Sequence, residues 1–334
     1  MGLFQSVALR TLERKLRNLS GEKTPVIAGH KLLYTCNLRC HMCPFWRRPD
    51  EQLLSLDEER KLLDAVADSG VSFMGFEGGE PFLRKDISEI LRMSHDRFHT
   101  SIVTNGWMLK DHLKDVKDYL DHLFVSIDGI GPVHDTLRGV GGSFEKAKAG
   151  IAAATEYVPV SLSSTITSEN YGEVNGIVDF AREMGVSVSF QVAYDYSTAE
   201  KMSPDSKKLK GAIMELLELK KSGAPIVESR EYFESVINSW YNGISWKCKP
   251  WLTMNIDPMG RLVLPCYVLN EYTGDRKVWE IDLRKAWNSV DWVTYETCNK
   301  CALSCYLEPS LFNWGNLGMV KERIIESIVS YMRA

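Results

Sequence analysis

Three cysteines stand close together in the stretch Tyr34–Thr35–Cys36–Asn37–Leu38–Arg39–Cys40–His41–Met42–Cys43–Pro44. The spacing C-x3-C-x2-C puts three thiolates on one short loop. Three thiolates can hold three irons of a four-iron cubane and leave the fourth iron without a protein ligand. An open coordination position is what a catalytic metal site needs. Zinc is the competing chemistry, but zinc sites favour four ligands in paired C-x2-C units, and the triplet supplies neither. His41 as a fourth ligand ranks below the cluster reading.

Five more cysteines follow near the end, Cys248, Cys266, Cys298, Cys301 and Cys305, with none between Cys43 and Cys248. In a reducing compartment such groups read as metal sites before disulfides. Cys298 and Cys301 form a C-x2-C pair. Cys248 and Cys266 bracket residues 254–263, which read as two short strands joined by a turn at Pro258–Gly260. Four thiolates in two pairs complete a metal site and leave one cysteine over. Whether Cys301 or Cys305 completes the set stays open, and paired cysteines alone favour zinc as often as iron.

The elements that must position these groups show a repeating rhythm. β-rich runs near 29–34, 72–77, 100–104, 122–127, 159–165 and 187–193 alternate with helical patterns near 55–69, 86–96, 109–119, 143–155, 170–185 and 205–222. Six β-then-α units predict a parallel sheet with helices outside it. Six is too few for the full eight-unit barrel, so the expected α/β fold is a partial (β/α)6 barrel. From about Ser245 the rhythm stops, and residues 245–310 read as a small cysteine-rich metal-binding domain. The expected organisation is an amphipathic segment over 1–27, the barrel over 28–225, the cysteine-rich domain over 245–310 and a closing helix within 311–334.

Chemistry in such folds collects at the C-terminal ends of the strands. Gly78–Gly79–Glu80–Pro81 follows the second strand. Its glycines let backbone approach a ligand, and a carboxylate at Glu80 could accept from a cationic amine. Asn105–Gly106 follows the third strand. Ser126–Ile127–Asp128–Gly129 ends the fourth, and Arg138 comes soon after, with forked donors suited to a carboxylate. Turn chemistry is an equal reading for Asn105 and Asp128. Tyr194, Asp195 and Tyr196 follow the sixth strand, where a solvated loop is the plainer reading. The seven histidines are scattered and suggest no shared site.

The C-x3-C-x2-C loop after the first strand, with the GGEP turn behind the second, resembles the radical SAM superfamily over roughly residues 28–195. That resemblance implies a [4Fe–4S] cluster on Cys36, Cys40 and Cys43 whose open iron chelates S-adenosylmethionine (SAM). One electron then cleaves the sulfonium to methionine and a 5′-deoxyadenosyl radical, which attacks an unactivated C–H or C=C of a substrate. It implies that the segment Gly78, Gly79, Glu80 and Pro81 holds the SAM amino group, and that Ser126 and Arg138 place its carboxylate or ribose. Asn105 and Asp128 are counted with this cofactor site. Met42 departs from the aromatic that many members carry there; methionine is a polarizable substitute. The C-terminal cysteines resemble the twitch domain, a shortened relative of the SPASM domain, which implies one auxiliary [4Fe–4S] cluster.

The resemblance also implies a reducing electron donor such as a ferredoxin or flavodoxin. The net charge of −4 gives no general case for nucleic acid. No apolar run reaches membrane-spanning length, and charges interrupt the N-terminus where a signal peptide would be apolar. A cytoplasmic protein is expected. Residues 3–19 read as a basic amphipathic helix, with five Lys/Arg against two acids in residues 1–25. Such a helix can lie peripherally in a membrane interface. It also resembles, weakly, the N-terminal segment of radical SAM enzymes that modify hopanoid and isoprenoid lipids. The leading substrate expectation is therefore a lipid or isoprenoid at the membrane surface. A peptide or small polar metabolite is the alternative, and a non-catalytic iron–sulfur electron carrier the alternative of another class. A carrier has no use for a GGEP turn.

Overall fold

The computed structural model describes residues 21–48, 52–240 and 246–311. Strands β1 (Ile27–Lys31), β2 (Phe73–Glu77), β3 (His99–Thr104), β4 (His122–Ser126), β5 (Val160–Ile166) and β6 (Ser187–Val192) pair in parallel and in chain order. Between and after them run α1 (Leu56–Asp68), α2 (Ile87–His95), α3 (Leu109–Val116), α4 (Pro132–Arg138), α5 (Ser143–Ala154), α6 (Val174–Met184) and α7 (Ser206–Lys221). This is the partial barrel that the sequence predicts. Helix α4 is the addition within it. Its seven residues are too few for a 3.6-residue apolar stripe to declare itself.

Each strand sorts its side chains by alternation. In β2, Met74 and Phe76 are fully buried beneath the helices, whereas Phe73, Gly75 and Glu77 face the other way. In β3, Thr100, Ile102 and Thr104 take the buried side. Leu62, Leu63 and Val66 of α1 complete that core without exposure, each worth about 1.5–3 kcal/mol of burial. Helix α1 begins with a capping box between Ser55 and Glu58.

The cysteine-rich part is not set apart from the barrel. Strand β7 (Thr253–Ile256) pairs in parallel with β1, matching Ile27 to Thr253 and Gly29 to Asn255. Strands β8 (Arg261–Leu264) and β9 (Tyr272–Lys277) follow antiparallel, giving the order β6-β5-β4-β3-β2-β1-β7-β8-β9. The added strands occupy the open β1 edge, whose backbone groups would otherwise lack partners. The β7–β8 turn falls where the sequence places it. Asp257 Oδ1 accepts from the backbone N–H of Met259 at 3.0 Å and of Arg261 at 2.9 Å.

Three short helices, α8 (Arg230–Ser235), α9 (Leu283–Asn288) and α10 (Ser304–Leu311), close this side. Tyr306 OH donates to Asn255 Oδ1 at 2.9 Å, and Tyr232 OH donates to Ala302 O at 2.7 Å, so α10 and its lead-in dock on β7 and α8. The helices expected over 3–19 and 318–333 lie outside the described residues. Among the described residues, no helix is long and apolar enough to cross a membrane.

Candidate functional site

The first cysteine loop is clamped from two sides. On one side, Gly79 N–H donates to Leu33 O at 2.8 Å and Glu80 N–H to Thr35 O at 3.0 Å. A Cβ at Gly78 would stand 2.4 Å from Leu33 O, and one at Gly79 would stand 2.0 Å from Thr35 O. The paired glycines are thus required by the passage of the chain into the cysteine loop, before any ligand is considered. On the other side, Arg39 N–H donates to Arg138 O at 3.1 Å and His41 N–H to Leu137 O at 3.0 Å. The end of α4, unannounced in the sequence, is therefore the second jaw. Arg39 donates to Cys36 O at 2.6 Å, Trp46 Nε1 to Cys40 O at 3.0 Å, and Arg47 to Cys43 O, so the loop's carbonyls are tied down by cationic and indole groups.

The strand-end residues converge on this loop in different ways. Glu80 is fully buried. It accepts from Thr104 Oγ1 at 2.8 Å, Phe82 N at 3.1 Å and Asn105 N at 2.9 Å. The sequence reading offered its carboxylate to a cationic amine; in the fold its donors are the chain's own, and it does not line the cavity described below. Burial raises its pKa to about 7. Pro81 is buried at the start of the short turn that follows. Asn105 combines both roles weighed for it. Its Oδ1 accepts from Trp107 N at 2.9 Å as a turn residue, and its Nδ2 donates to Asn37 Oδ1 at 2.7 Å, inside the cysteine loop.

Asp128 has no exposure, and its Oδ2 lies 2.6 Å from Arg138 Nη2. Its Oδ1 accepts from Thr165 N at 2.8 Å. Its backbone N–H donates to His134 Nδ1 at 3.1 Å, and burial lowers the His134 pKa to about 3, so that ring is neutral. Arg138 Nη1 reaches to 3.7 Å from Cys40 Sγ. Ser126 is 9% exposed, on the inner face of β4.

The thiols of both groups are free of disulfides. Burial pushes Cys36 up to about 12 and raises Cys40, where Arg138 partly offsets it. A bound cation must therefore supply what makes them thiolates. Among the described residues, no three His, Cys, Asp or Glu side chains converge on a point suited to a single metal ion. A cubane takes each thiolate on a different iron, which sets the sulfurs further apart than the ligands of one ion. The first loop's donor set fits such a cluster.

In the second group, burial pushes Cys248 and Cys301 up to about 12, with neighbouring thiols adding to the effect. Cys248 feels Cys301, Cys298 and Cys266; Cys301 feels Cys266 and Cys298. Cys305 differs. Its side chain is exposed, toward the cavity, and burial of its surroundings raises its pKa. It lines the cavity, and the charged groups that act on it are Cys301, Glu77, Cys266 and Lys31.

One cavity of about 750 Å³ joins these parts. Cys36, Cys40, Cys43, Gly78, Gly79, Asn105, Ser126 and Arg138 line it at the strand ends, and Cys305 lines it from α10. Asp128 stands behind Arg138. Tyr194 and Tyr196 also line it rather than forming a solvated loop, and Tyr196 packs edge-on to Phe45 at 6.0 Å. Asp195 is taken up locally by Met202 N, Ser203 N and Ser203 Oγ. Sequence reasoning missed the wall itself: Lys31 and Glu77, an ion pair at 2.9 Å, and Gln191 and Glu228. The period-2 alternation of the strands carried that signal.

Fold and site together define a partial parallel barrel with a three-cysteine loop at the strand ends. Residues 31–181 match the family described as the Radical SAM superfamily. Residues 186–325 match a domain of unknown function, DUF3463. The Fe-coproporphyrin III synthase of Methanosarcina barkeri is 31% identical over 181 residues, 52% of this chain and 45% of that one. A probable GTP 3',8-cyclase of Methanococcus maripaludis is 32% identical over 157 residues, 45% of this chain and 53% of that one. The chain thus spans about half the length of the curated relatives it matches. Among solved structures, Streptococcus suis SuiB bound to S-adenosylmethionine aligns with a TM-score of 0.66 at 18% identity, covering 85% of this chain and 71% of that one. Native anSMEcpe with bound AdoMet and the Cp18Cys peptide aligns with a TM-score of 0.64 at 17% identity, covering 83% and 84%. These two share the fold.

Proposed function

We propose that this enzyme reductively cleaves SAM to a 5′-deoxyadenosyl radical and turns it on an unactivated C–H or C=C of a substrate in the barrel cavity. One observation carries the reading. The three thiols of the C-x3-C-x2-C loop open into the same cavity as Gly78, Gly79, Ser126 and Arg138. A [4Fe–4S] cluster on Cys36, Cys40 and Cys43 would deliver one electron to the SAM sulfonium. The chain's own residues bind and orient. Asp128 holds Arg138, whose guanidinium suits the SAM carboxylate. Ser126 offers a hydroxyl from β4. The backbone of the Gly78–Gly79 turn, in place of the Glu80 carboxylate, receives the amino group. Met42, packed with Leu137, Ala193 and Met202, gives adenine an apolar wall.

We assign an auxiliary [4Fe–4S] cluster, of twitch type, to four of the five C-terminal cysteines: Cys248, Cys266 and Cys298 with either Cys301 or Cys305. With four thiolates its role is electron transfer or stapling of the domain. Arg39 and Arg47 beside the first loop suit an acidic ferredoxin or flavodoxin as donor. For the substrate, the lipid or isoprenoid reading rests in sequence on residues 3–19, and the comparisons add nothing to it. The peptide alternative has the peptide-bound anSMEcpe structure beside it as a likeness of fold.

The test is anaerobic reconstitution followed by reduction in the presence of SAM. Wild type should form methionine and 5′-deoxyadenosine. Cys40→Ala should form neither while keeping the iron of its C-terminal cysteines. Undiminished cleavage by Cys40→Ala would sink the reading.

A further inference from the structure

We infer that the barrel interior is a channel for an elongated, uncharged substrate, kept open by Gly29, Gly75 and Ser101. The inference rests on the cysteine-loop end being the SAM site. Gly29 pairs with Gly75 across β1 and β2, and Gly75 with Ser101 across β2 and β3, so the three form one layer facing the cavity. Closed barrels fill such layers with bulky branched side chains.

Nothing in the chain demands glycine here. Neither Gly29 nor Gly75 has a positive φ. A Cβ at Gly29 would come no nearer than 3.6 Å to another atom, and one at Gly75 no nearer than 3.5 Å. This contrasts with Gly78 and Gly79, where backbone forbids a side chain. Glycine inside a strand costs stability, and it marks close approach by something else.

The two cations of the wall are already matched. Lys31 lies 2.9 Å from Glu77, between the rings of Phe45 at 4.0 Å and Tyr267 at 4.3 Å. Arg138 is held by Asp128. Glu228 accepts from Ser189 Oγ at 2.5 Å and Phe190 N at 2.9 Å. With Arg138 given to the SAM carboxylate, a substrate phosphate or carboxylate would have to part Lys31 from Glu77 to gain a cation. The far end carries Phe73 and His99, with His122 one layer in and neutral because burial lowers its pKa to about 4. From His99 to Asn105 the wall runs about 20 Å at about 3.3 Å per residue. An isoprenoid or other long hydrocarbon chain with a neutral head has this shape and polarity. A nucleoside triphosphate or a porphyrin polycarboxylate does not.

The test measures equilibrium binding of tritiated geranylgeraniol, GTP and coproporphyrin III to the reconstituted enzyme with SAM. The alcohol should bind saturably and at least tenfold more tightly than either anion. Gly75→Val, whose branches project into the channel, should weaken the alcohol at least tenfold with iron content retained. Ser101→Val serves as the second variant, with the same expectation. Absent binding of the alcohol, equal or tighter binding of an anion, or full affinity in an iron-replete Gly75→Val would overturn the inference. Failure of the SAM reading would show separately, as absent 5′-deoxyadenosine in wild type.

Discussion

Asp128 Oδ2 stands 2.6 Å from Arg138 Nη2, with Asp128 wholly buried and Arg138 12% exposed. The pair fixes the direction of a guanidinium whose other end reaches Cys40. Asp128→Asn keeps the shape and the bond from Thr165 N but leaves Arg138 without its counter-charge. Removing one partner of a buried pair costs about 3–5 kcal/mol. The variant should lose about 3 kcal/mol in denaturant unfolding and bind SAM about tenfold more weakly. Wild-type values for both would mean that Arg138 is aimed by something else.

The two glycines of the GGEP turn make a sharper steric prediction. Gly79→Ala places a Cβ 2.0 Å from Thr35 O, so the cysteine loop must shift. Overpacking of this kind costs about 3 kcal/mol. The variant should lose that stability and the iron of the first cluster. Gly141→Ala, where a Cβ meets nothing within 4 Å and φ is not positive, should change neither.

A pH dependence follows from Glu228, whose pKa burial raises to about 7. The unfolded chain releases this proton near pH 4.5. Between those values the folded state binds more protons, so its stability falls as pH rises from about 4.5 to about 7 and is flat above that. Glu228→Gln removes this contribution. The stability difference between wild type and Glu228→Gln should move against wild type by a few kcal/mol from pH 5 to pH 7.5. Parallel pH curves would show that Glu228 is ionised throughout.

Iron counts separate the cysteines. Wild type should hold about eight irons per chain, and the triple variant at Cys36, Cys40 and Cys43 about four. Of Cys301→Ser and Cys305→Ser, one should lose about four irons and the other should keep all eight. The variant that loses iron marks the fourth ligand of the auxiliary set, and equal counts in the two would sink the assignment.

The strands and the first cysteine loop were legible because their signals are local. Alternation over five to seven residues marks a strand, and C-x3-C-x2-C is complete within eight residues. Helix α4 was not legible, because its seven residues give no periodic stripe. Glu80 was legible as important but not in its role. A carboxylate in a turn looks available until the fold brings Thr104 and Asn105 against it.

The sequence by itself determined the barrel, the two cysteine groups and the chemistry that three thiolates on one loop imply. Only the tertiary structure decided that β7 extends the barrel sheet along β1 and that Cys305 faces the cavity. It also decided that the two cations on the channel wall are paired, Lys31 with Glu77 and Arg138 with Asp128. The physical reason is range. Periodicity and loop spacing are written within a few neighbouring residues, but pairing of charges and the emptiness of a barrel layer arise between strands far apart in the chain. No local pattern records them.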